Sequence, residues 1–142
     1  QNIDGLHQSA GSGNVLELHG SVHRSYCVTC GTFHPLAHVI EARDVPRCDC
    51  GGIIKPDVVL YGEPLRDDIM RSAIEYISQA DMLIVGGTSL SVYPAAGLID
   101  HYRGGKLVLI NRTATNADGR AALCIREPIG ETLDKAYPGL FT

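Results

Sequence analysis

Polar side chains able to do acid–base chemistry cluster in the first twenty residues of this 142-residue sequence. Asn2, Asp4, His7 and His19 alternate there with apolar residues, which indicates a packed segment rather than a solvated loop. His19 is the best candidate for a general base, because imidazole titrates near neutral pH and the following Gly20 allows close approach. The alternative is structural: each residue would cap a turn or satisfy buried backbone, the commoner case for any single histidine.

Four cysteines form two closely spaced pairs, Cys27 with Cys30 and Cys48 with Cys50. Seventeen residues separate the pairs, and two tight turns at this separation can direct four sulfurs at one tetrahedral Zn²⁺. Four thiolates leave no position for water, so the ion would be structural and would supply folding free energy. The alternative is a group of buried thiols without a metal. The fifth cysteine, Cys124, stands alone and is expected in the core.

A glycine-rich turn follows an apolar run that ends at Val85. In this turn, Gly86 and Gly87 allow a ligand to approach the backbone, and Thr88 and Ser89 carry hydroxyls able to bind phosphate or ribose oxygens. By itself the pattern is weak evidence for a nucleotide site, because turns between strands and helices often carry glycine for steric reasons. The GxGxxG pattern is absent, since GSGNVL ends in leucine.

The composition is that of an ordinary globular protein, with 44% hydrophobic and 20% charged residues. The net charge of −4 gives no general attraction for nucleic acid or an anionic membrane. The sequence has no apolar run near the roughly 20 residues that a membrane helix needs, and no secretory signal pattern. We therefore expect a cytoplasmic protein, in which five cysteines indicate metal or chemistry rather than disulfides.

The elements that position these residues alternate between strands and helices. Short apolar runs predict buried parallel strands in MLIVGG and KLVLINR, and Pro94 predicts the start of a helix between them. An amphipathic helix is predicted in PLRDDIMRSAIEYISQAD and a closing helix in GETLDKAY. KPDVVLYGE resembles a strand leading to a turn, and NVLELHG fits a strand or a short helix. The alternation predicts a doubly wound α/β sheet with ligands at the carboxyl ends of its strands.

Several of these motifs together resemble one family. QNIDGLH, ELHGS, the two cysteine pairs, KPDVVLYGE, GTSLSVYP and LINR follow the order and approximate spacing of the sirtuins, the NAD-dependent protein-lysine deacylases. The resemblance implies a Rossmann-like NAD-binding domain over 1–22 and 56–142, and an inserted zinc-binding module over 23–55. It also implies NAD and one structural zinc as cofactors, and an acyl-lysine protein or peptide as substrate. The products would be the free lysine, nicotinamide and O-acyl-ADP-ribose.

The resemblance assigns roles to individual residues. His19 is implied as the catalytic base, with Asn2 and Asp4 beside it and Asp4 facing the nicotinamide carboxamide. The residues implied to contact NAD are Gln1, Asn2, Ile3, Asp4, His19, Gly87, Thr88, Ser89, Asn111, Arg112 and Cys124. A substrate peptide would pair as a strand between two segments, through Val59, Tyr61, Gly62, Glu63, Ser91, Val92 and Tyr93.

Sirtuins also carry a Gly-Ala-Gly motif and a flexible cofactor loop, which in the family's order of motifs would precede Gln1. We therefore expect this chain to be the C-terminal portion of such an enzyme, with a sheet incomplete on its N-terminal side and little activity in isolation. Two other functions stay open: a zinc-ribbon module that binds another macromolecule, and a catalytically dead sirtuin homologue. The acidic balance argues against nucleic acid as the partner of such a module.

Overall fold

A computed structural model describes residues 1–137 of the chain. Residues 1–70 form one compact unit, and the chain from residue 71 onward forms a second. The domain boundaries expected from the sequence, 23–55 inserted between 1–22 and 56–142, stay a prediction, and residues 138–142 lie outside the described residues. Within residues 1–137, no helix is both long enough and apolar enough to cross a membrane.

The first unit is built on a small antiparallel sheet. Its strands are β1 (Gly20–Cys27), β2 (Phe33–Pro35) and β3 (Ile54–Val58), in the order β2-β1-β3, and its short helices are α1 (Leu6–Ser9) and α2 (Leu36–Ile40). Side chains alternate across β1, so Ser21, Ser25 and Cys27 are buried while Tyr26 between them is exposed. The buried core therefore consists largely of cysteine: Cys27 and Cys48 pack with Ile54.

The segment NVLELHG, expected as a strand or short helix, is neither. Residues 14–19 run without regular structure into a turn closed by the amide of Gly20, which donates to the carbonyl of Glu17 at 3.1 Å. Gly20 has a φ of +79°, a conformation that interrupts an extended strand and that glycine adopts without strain. Strand β1 therefore begins at Gly20, after most of the apolar run.

The second unit contains a parallel sheet, as the sequence predicts. Its strands are β4 (Leu83–Gly86), β5 (Leu107–Ile110) and β6 (Leu123–Ile125), in the order β4-β5-β6. Helix α3 (Asp67–Gln79) and helix α4 (Ile129–Ala136) confirm the two helices expected from the sequence. The α/β class with a separate small module is therefore confirmed.

The helix expected after Pro94 is a 3-10 helix, Ala95–His101. Gly97 weakens an α-helix, and 3-10 geometry occurs mainly in short segments. The amide of Gly97 accordingly donates to the carbonyl of Pro94, three residues earlier, at 3.0 Å. A second 3-10 turn, Asp118–Arg120, precedes β6.

The core of the second unit lies on β5 and the elements beside it. Leu107 and Leu109 are 4% and 1% exposed and pack with Leu90, Ile99, Tyr102 and Ala117. Leu83 pairs with Leu107 at the start of the sheet, and Gly86, Ile110 and Ile125 lie in register at its end. The segments that follow β4, β5 and β6 therefore leave the sheet at one edge, where ligands of parallel sheets bind.

Candidate functional site

His19 lies immediately before β1, and hydrogen bonds hold both its backbone and its imidazole ring. The His19 carbonyl accepts a hydrogen bond from the amide of Val59 at 3.0 Å, and Nδ1 lies 2.8 Å from the carbonyl oxygen of Gln1. A carbonyl oxygen can only accept, so this contact assigns the proton to Nδ1. The lone pair on Nε2 is then available to take a proton, which is the form a general base needs.

The segment before α1 is docked along β1 by three contacts. Besides Gln1, the carbonyl of Ile3 accepts from the amide of Val22 at 3.1 Å, and the carbonyl of Asp4 lies 2.9 Å from Nε2 of His23. Of the first four residues, Gln1 contacts His19 directly, and Ile3 and Asp4 contact Val22 and His23 on β1. Gln1, Asn2 and Asp4 are exposed, so the packing expected from the sequence is limited to these backbone contacts. Asn2 lies between two of these contacts and is exposed.

The Asp4 carboxylate also has a local role. One of its oxygens accepts from the amide of Leu6 at 3.0 Å and so holds the first turn of α1. Gly5 follows Asp4 with a φ of +71°, and a Cβ there would lie 2.9 Å from the His23 ring. Sequence reasoning missed His23, because its partner is a main-chain carbonyl nineteen positions away.

Gly20 permits β1 and β3 to approach each other beside His19. A Cβ on Gly20 would collide with the carbonyl oxygen of Asp57, across the sheet. Arg24, further along β1, pairs with Asp57 at 2.9 Å and with Glu17 at 2.7 Å. The backbone around His19 is therefore fixed from both sides.

The four cysteines predicted as metal ligands converge. Their sulfurs all lie within 4.8 Å of one another, with Cys27 3.5 Å from Cys50, and Cys30 3.6 Å from Cys48 and 3.4 Å from Cys50. Zinc–thiolate bonds of about 2.3 Å in a tetrahedron would put the sulfurs about 3.8 Å apart. The donor set and its spacing therefore fit one tetrahedral Zn²⁺.

Each cysteine pair sits in a tight turn that ends in a glycine. Gly31 follows Cys30 with a φ of +71°, and Gly51 follows Cys50 with a φ of +84°. Gly31 donates to the carbonyl of Cys27 at 2.9 Å, and Gly51 donates to the carbonyl of Cys48 at 2.8 Å. The two turns are therefore equivalent, although one contains two residues between its cysteines and the other only one.

Hydrogen bonds around the sulfurs make their acidities unequal. Contacts with the hydroxyl and backbone of Thr32 lower the pKa of Cys30 to about 6. A backbone contact with Gly52 lowers the pKa of Cys50, but contacts with the sulfurs of Cys30 and Cys27 outweigh it and raise that pKa to about 12. The raised pKa of Cys50 opposes ionisation of that thiol, and a bound divalent cation would favour the thiolate.

A second turn follows β3, in the segment expected to bind a peptide substrate. The Glu63 carboxylate accepts from the amide of Leu60 at 3.0 Å and pairs with Lys55 at 3.0 Å. These contacts, the backbone one first, lower the pKa of Glu63. Tyr61, at the tip, is 100% exposed. The Glu63 side chain is therefore used inside the turn, while Tyr61 is available at the surface.

In the second unit, the glycine turn lies next to the end of β5. The amide of Gly87 donates to the carbonyl of Ile110 at 3.0 Å, and Gly87 has a φ of +63°. Apart from the adjacent residues, no atom of residues 1–137 lies within 4 Å of a Cβ built on Gly87, so space is open beside this backbone. The turn continues through Thr88, whose hydroxyl accepts from the amide of Leu90 at 3.3 Å.

Asn111 and Arg112 directly follow β5, at the same edge of the sheet as the glycine turn. The Asn111 side-chain amide donates to the Thr113 carbonyl at 3.0 Å and so folds back onto its own loop. Arg112 is exposed. Cys124 lies opposite Leu109 in the sheet and packs against the hydrophobic core, as its solitary position in the sequence suggested.

Two charged residues at this edge, Arg126 and Asp118, were not predicted from the sequence. Arg126 contacts the Asn111 and Thr113 carbonyls and forms an ion pair with Asp118. Nothing in the spacing of these residues indicates the contacts, which arise only when β5 and β6 pair. The predicted residues Ser91, Val92 and Tyr93 lie further along the chain from the glycine turn and are exposed.

Comparisons with known proteins match this chain to proteins with deacetylase names. A NAD-dependent protein deacetylase of Clostridium perfringens is 62% identical over 137 residues, which cover 95% of this chain and 56% of the relative. One from Saccharolobus solfataricus is 48% identical over 142 residues, with 95% of this chain and 56% of the relative covered. The chain thus spans a little over half the length of these relatives.

Solved structures give the same match. A Sir2 structure with p53 peptide and NAD⁺ is 42% identical, with a TM-score of 0.88 over 96% of this chain and 59% of that one. Sir2Tm bound to a propionylated peptide is 45% identical, with a TM-score of 0.90 over 96% of this chain and 60% of that one.

The model of the Sir2 family matches residues 1–94. That range contains the docked N-terminal segment, His19, all four clustered cysteines and the glycine turn. The match therefore includes His19 and the four clustered cysteines, and it ends before Asn111, Arg112 and Cys124. On these grounds, the chain belongs to the Sir2 family.

Proposed function

We propose that the complete protein carrying this chain is an NAD-dependent protein-lysine deacylase. It would remove an acyl group from a lysine side chain and form nicotinamide and O-acyl-ADP-ribose. Family membership supports this, as do the deacetylase names of the relatives and a Sir2 structure holding 2′-O-acetyl-ADP-ribose and deacetylated p53 peptide. The single observation that carries the proposal is the His19 ring, held through Nδ1 by the Gln1 carbonyl with Nε2 left as its acceptor.

We assign His19 the role of general base. Bound NAD supplies an electrophilic ribose carbon and nicotinamide as a leaving group. His19 would take a proton at Nε2 from a ribose hydroxyl, and the Gln1 carbonyl would stabilise the resulting imidazolium through Nδ1. Asn2 and Asp4, held alongside by the Ile3 and Asp4 backbone contacts, would orient the nicotinamide end.

The family resemblance implies that residues of the second unit bind the phosphate and adenosine part of NAD. The open space beside Gly87 suits a ligand that approaches the backbone closely, and Thr88 and Ser89 carry hydroxyls in the same turn. Asn111 and Arg112 would contact the adenosine end from the end of the neighbouring strand, with Cys124 as the adenine contact. These assignments follow the family resemblance and the common edge of the sheet.

The clustered cysteines would hold one structural zinc. All four ligand positions would be occupied by sulfur, so the ion would have no place in the chemistry and would stabilise the first unit. The substrate would be an acyl-lysine peptide in extended form, and the family resemblance implies that the Val59–Glu63 and Ser91–Tyr93 segments each offer it backbone for pairing. Backbone pairing of this kind makes sequence selectivity loose.

The proposal is tested by product analysis of the complete protein. The purified protein is incubated with NAD and an acetyl-lysine peptide, and nicotinamide, O-acetyl-ADP-ribose and free lysine peptide are quantified. Equal amounts of the three products support the deacylase. A folded, zinc-loaded protein that yields none contradicts it, and a salt-dependent mobility shift with nucleic acid would favour a zinc-ribbon binding module instead.

The isolated 142-residue chain serves as a further sample in the same experiment. It spans 56% of the length of its deacetylase relatives, and we propose that it has little or no activity by itself. Robust turnover by the isolated chain would contradict this part of the proposal and leave the assignment of the reaction intact.

A further inference from the structure

A single arginine connects the ends of β5 and β6. Arg126 follows β6 directly, and its guanidinium reaches back to the loop after β5. It donates to the Thr113 carbonyl at 3.2 Å and to the Asn111 carbonyl at 3.4 Å, and it forms an ion pair with Asp118. One side chain therefore holds three points of the 111–118 loop.

Asp118 extends this connection into the middle of the loop. Its second carboxylate oxygen accepts from the Thr115 amide at 3.1 Å and from the Thr115 hydroxyl at 2.8 Å. The Asn111 amide, bonded to the Thr113 carbonyl, closes the first half of the loop. Both halves are therefore fixed relative to Arg126, which matters because this loop carries the proposed adenosine contacts.

The loop is also joined to the glycine turn. The Asn116 side-chain amide donates to the Leu90 carbonyl at 3.4 Å. Leu90 is 5% exposed and has a φ of +54°, an uncommon conformation for a residue other than glycine. Such a backbone persists only where its surroundings determine it, and the Asn116 contact is part of those surroundings.

We propose that Arg126 is a positioning residue that holds the adenosine-binding loop in its binding conformation before NAD arrives. The inference rests on the proposed function for the identity of the ligand. Arg126 would act through the backbone of Asn111 and Thr113 and through Asp118, without touching the reacting atoms. Its contribution would therefore appear in the affinity for NAD and leave the chemical step unchanged.

The test compares Arg126→Met with Arg103→Met in the complete protein. Arg103 is an exposed arginine of the same unit, so its replacement removes the same charge without touching the loop. We expect Arg126→Met to raise the KM for NAD about tenfold at nearly constant kcat, as the loss of charge-assisted hydrogen bonds would do. Arg103→Met should change neither constant.

Arg126→Lys separates a positioning role from loss of charge alone. Lysine keeps the charge but lacks the planar guanidinium group that donates to two carbonyls and a carboxylate at once. The KM of Arg126→Lys for NAD should therefore lie between those of the wild type and Arg126→Met. A KM within twofold of the wild type in both variants would overturn the proposal. A fall in kcat at constant KM would overturn it as well.

A second readout does not depend on catalysis. The Thr115 amide, which donates to Asp118, should exchange with solvent faster in Arg126→Met than in the wild type or in Arg103→Met. If the wild type turns over no NAD, the proposed deacylase fails and the exchange experiment still tests the loop. Unchanged exchange at Thr115 in a folded Arg126→Met protein would contradict the positioning role.

Discussion

The Nδ1 atom of His19 lies 2.8 Å from the backbone carbonyl oxygen of Gln1. Because the partner is main chain, no side-chain substitution at position 1 removes the acceptor. The Gln1 carbonyl can accept a hydrogen bond from Nδ1 only when Nδ1 carries a proton, so the neutral ring should be the Nδ1–H tautomer. A two-dimensional ¹⁵N spectrum of the imidazole at a pH where it is neutral checks this. The Nε2–H tautomer, or a fast mixture of both, would contradict the assignment of Nε2 as the base.

Zinc binding should depend on the clustered sulfurs and not on Cys124. We expect about one zinc per chain in the wild type and in Cys124→Ser, because Cys124 packs in the core of the second unit. Cys48→Ser should lose the metal and unfold the first unit, where Cys48 is both a ligand and a core residue. Metal analysis by plasma mass spectrometry, paired with circular dichroism, measures both effects. Full zinc content in Cys48→Ser would refute the four-sulfur site.

Gly20 should tolerate no side chain. Gly20→Ala adds a Cβ that collides with the Asp57 carbonyl at a φ of +79°, and strain of this kind costs on the order of 1–3 kcal/mol. Gly13→Ala is the matched control, because no non-adjacent atom of the described residues lies within 4 Å of a Cβ built at Gly13 and the φ of Gly13 is not positive. Its effect should stay within about 0.5 kcal/mol. Denaturant unfolding gives both free energies. Equal stability of the two variants would argue against the close approach of β1 and β3.

The turn that carries Tyr61 should open in acid. The pKa of Glu63 is lowered in the folded state, first by the Leu60 amide and then by Lys55. A carboxylate with a lowered folded pKa stabilises the turn above its unfolded pKa, and that contribution disappears as pH falls through the folded pKa. Carboxyl ¹³C titration should report a pKa below the usual glutamate value of about 4.3. Lys55→Met should move this pKa upward, and an unchanged titration in that variant would contradict the pairing.

The sequence predicts the metal site better than the rest of the structure. Two closely spaced cysteines can direct both sulfurs at one ion within a single tight turn, so the spacing of the four cysteines was enough to predict the ligands. The strands β4 and β5 and the helix α3 were predicted because continuous apolar runs and helical spacing are local signals. The grouping of Asn2 and Asp4 with His19 stays a prediction, although the Gln1 carbonyl contacts the His19 ring and the Ile3 carbonyl contacts β1.

The features missed by the sequence depend on pairing between distant segments. The antiparallel hairpin of β1 and β2 has no strong alternation of apolar residues, because its buried face carries serine and cysteine. Arg126 and His23 bind backbone carbonyls. Every residue has a backbone carbonyl, so the amino-acid sequence does not indicate which of them will accept a hydrogen bond. The prediction of a strand or short helix over 14–19 was wrong, because the positive φ of Gly20 turns the chain at the end of the apolar run.

The most direct test of the account is deacylation by the complete protein with His19 replaced by alanine. General base catalysis contributes about 10²–10⁴-fold, so nicotinamide release coupled to an acetyl-lysine peptide should fall by at least that order. Zinc content and melting temperature should match the wild type, because the metal ligands and the Val59 contact with the position-19 carbonyl are retained. Turnover within a few fold of the wild type in a zinc-loaded, folded His19→Ala protein would contradict the account.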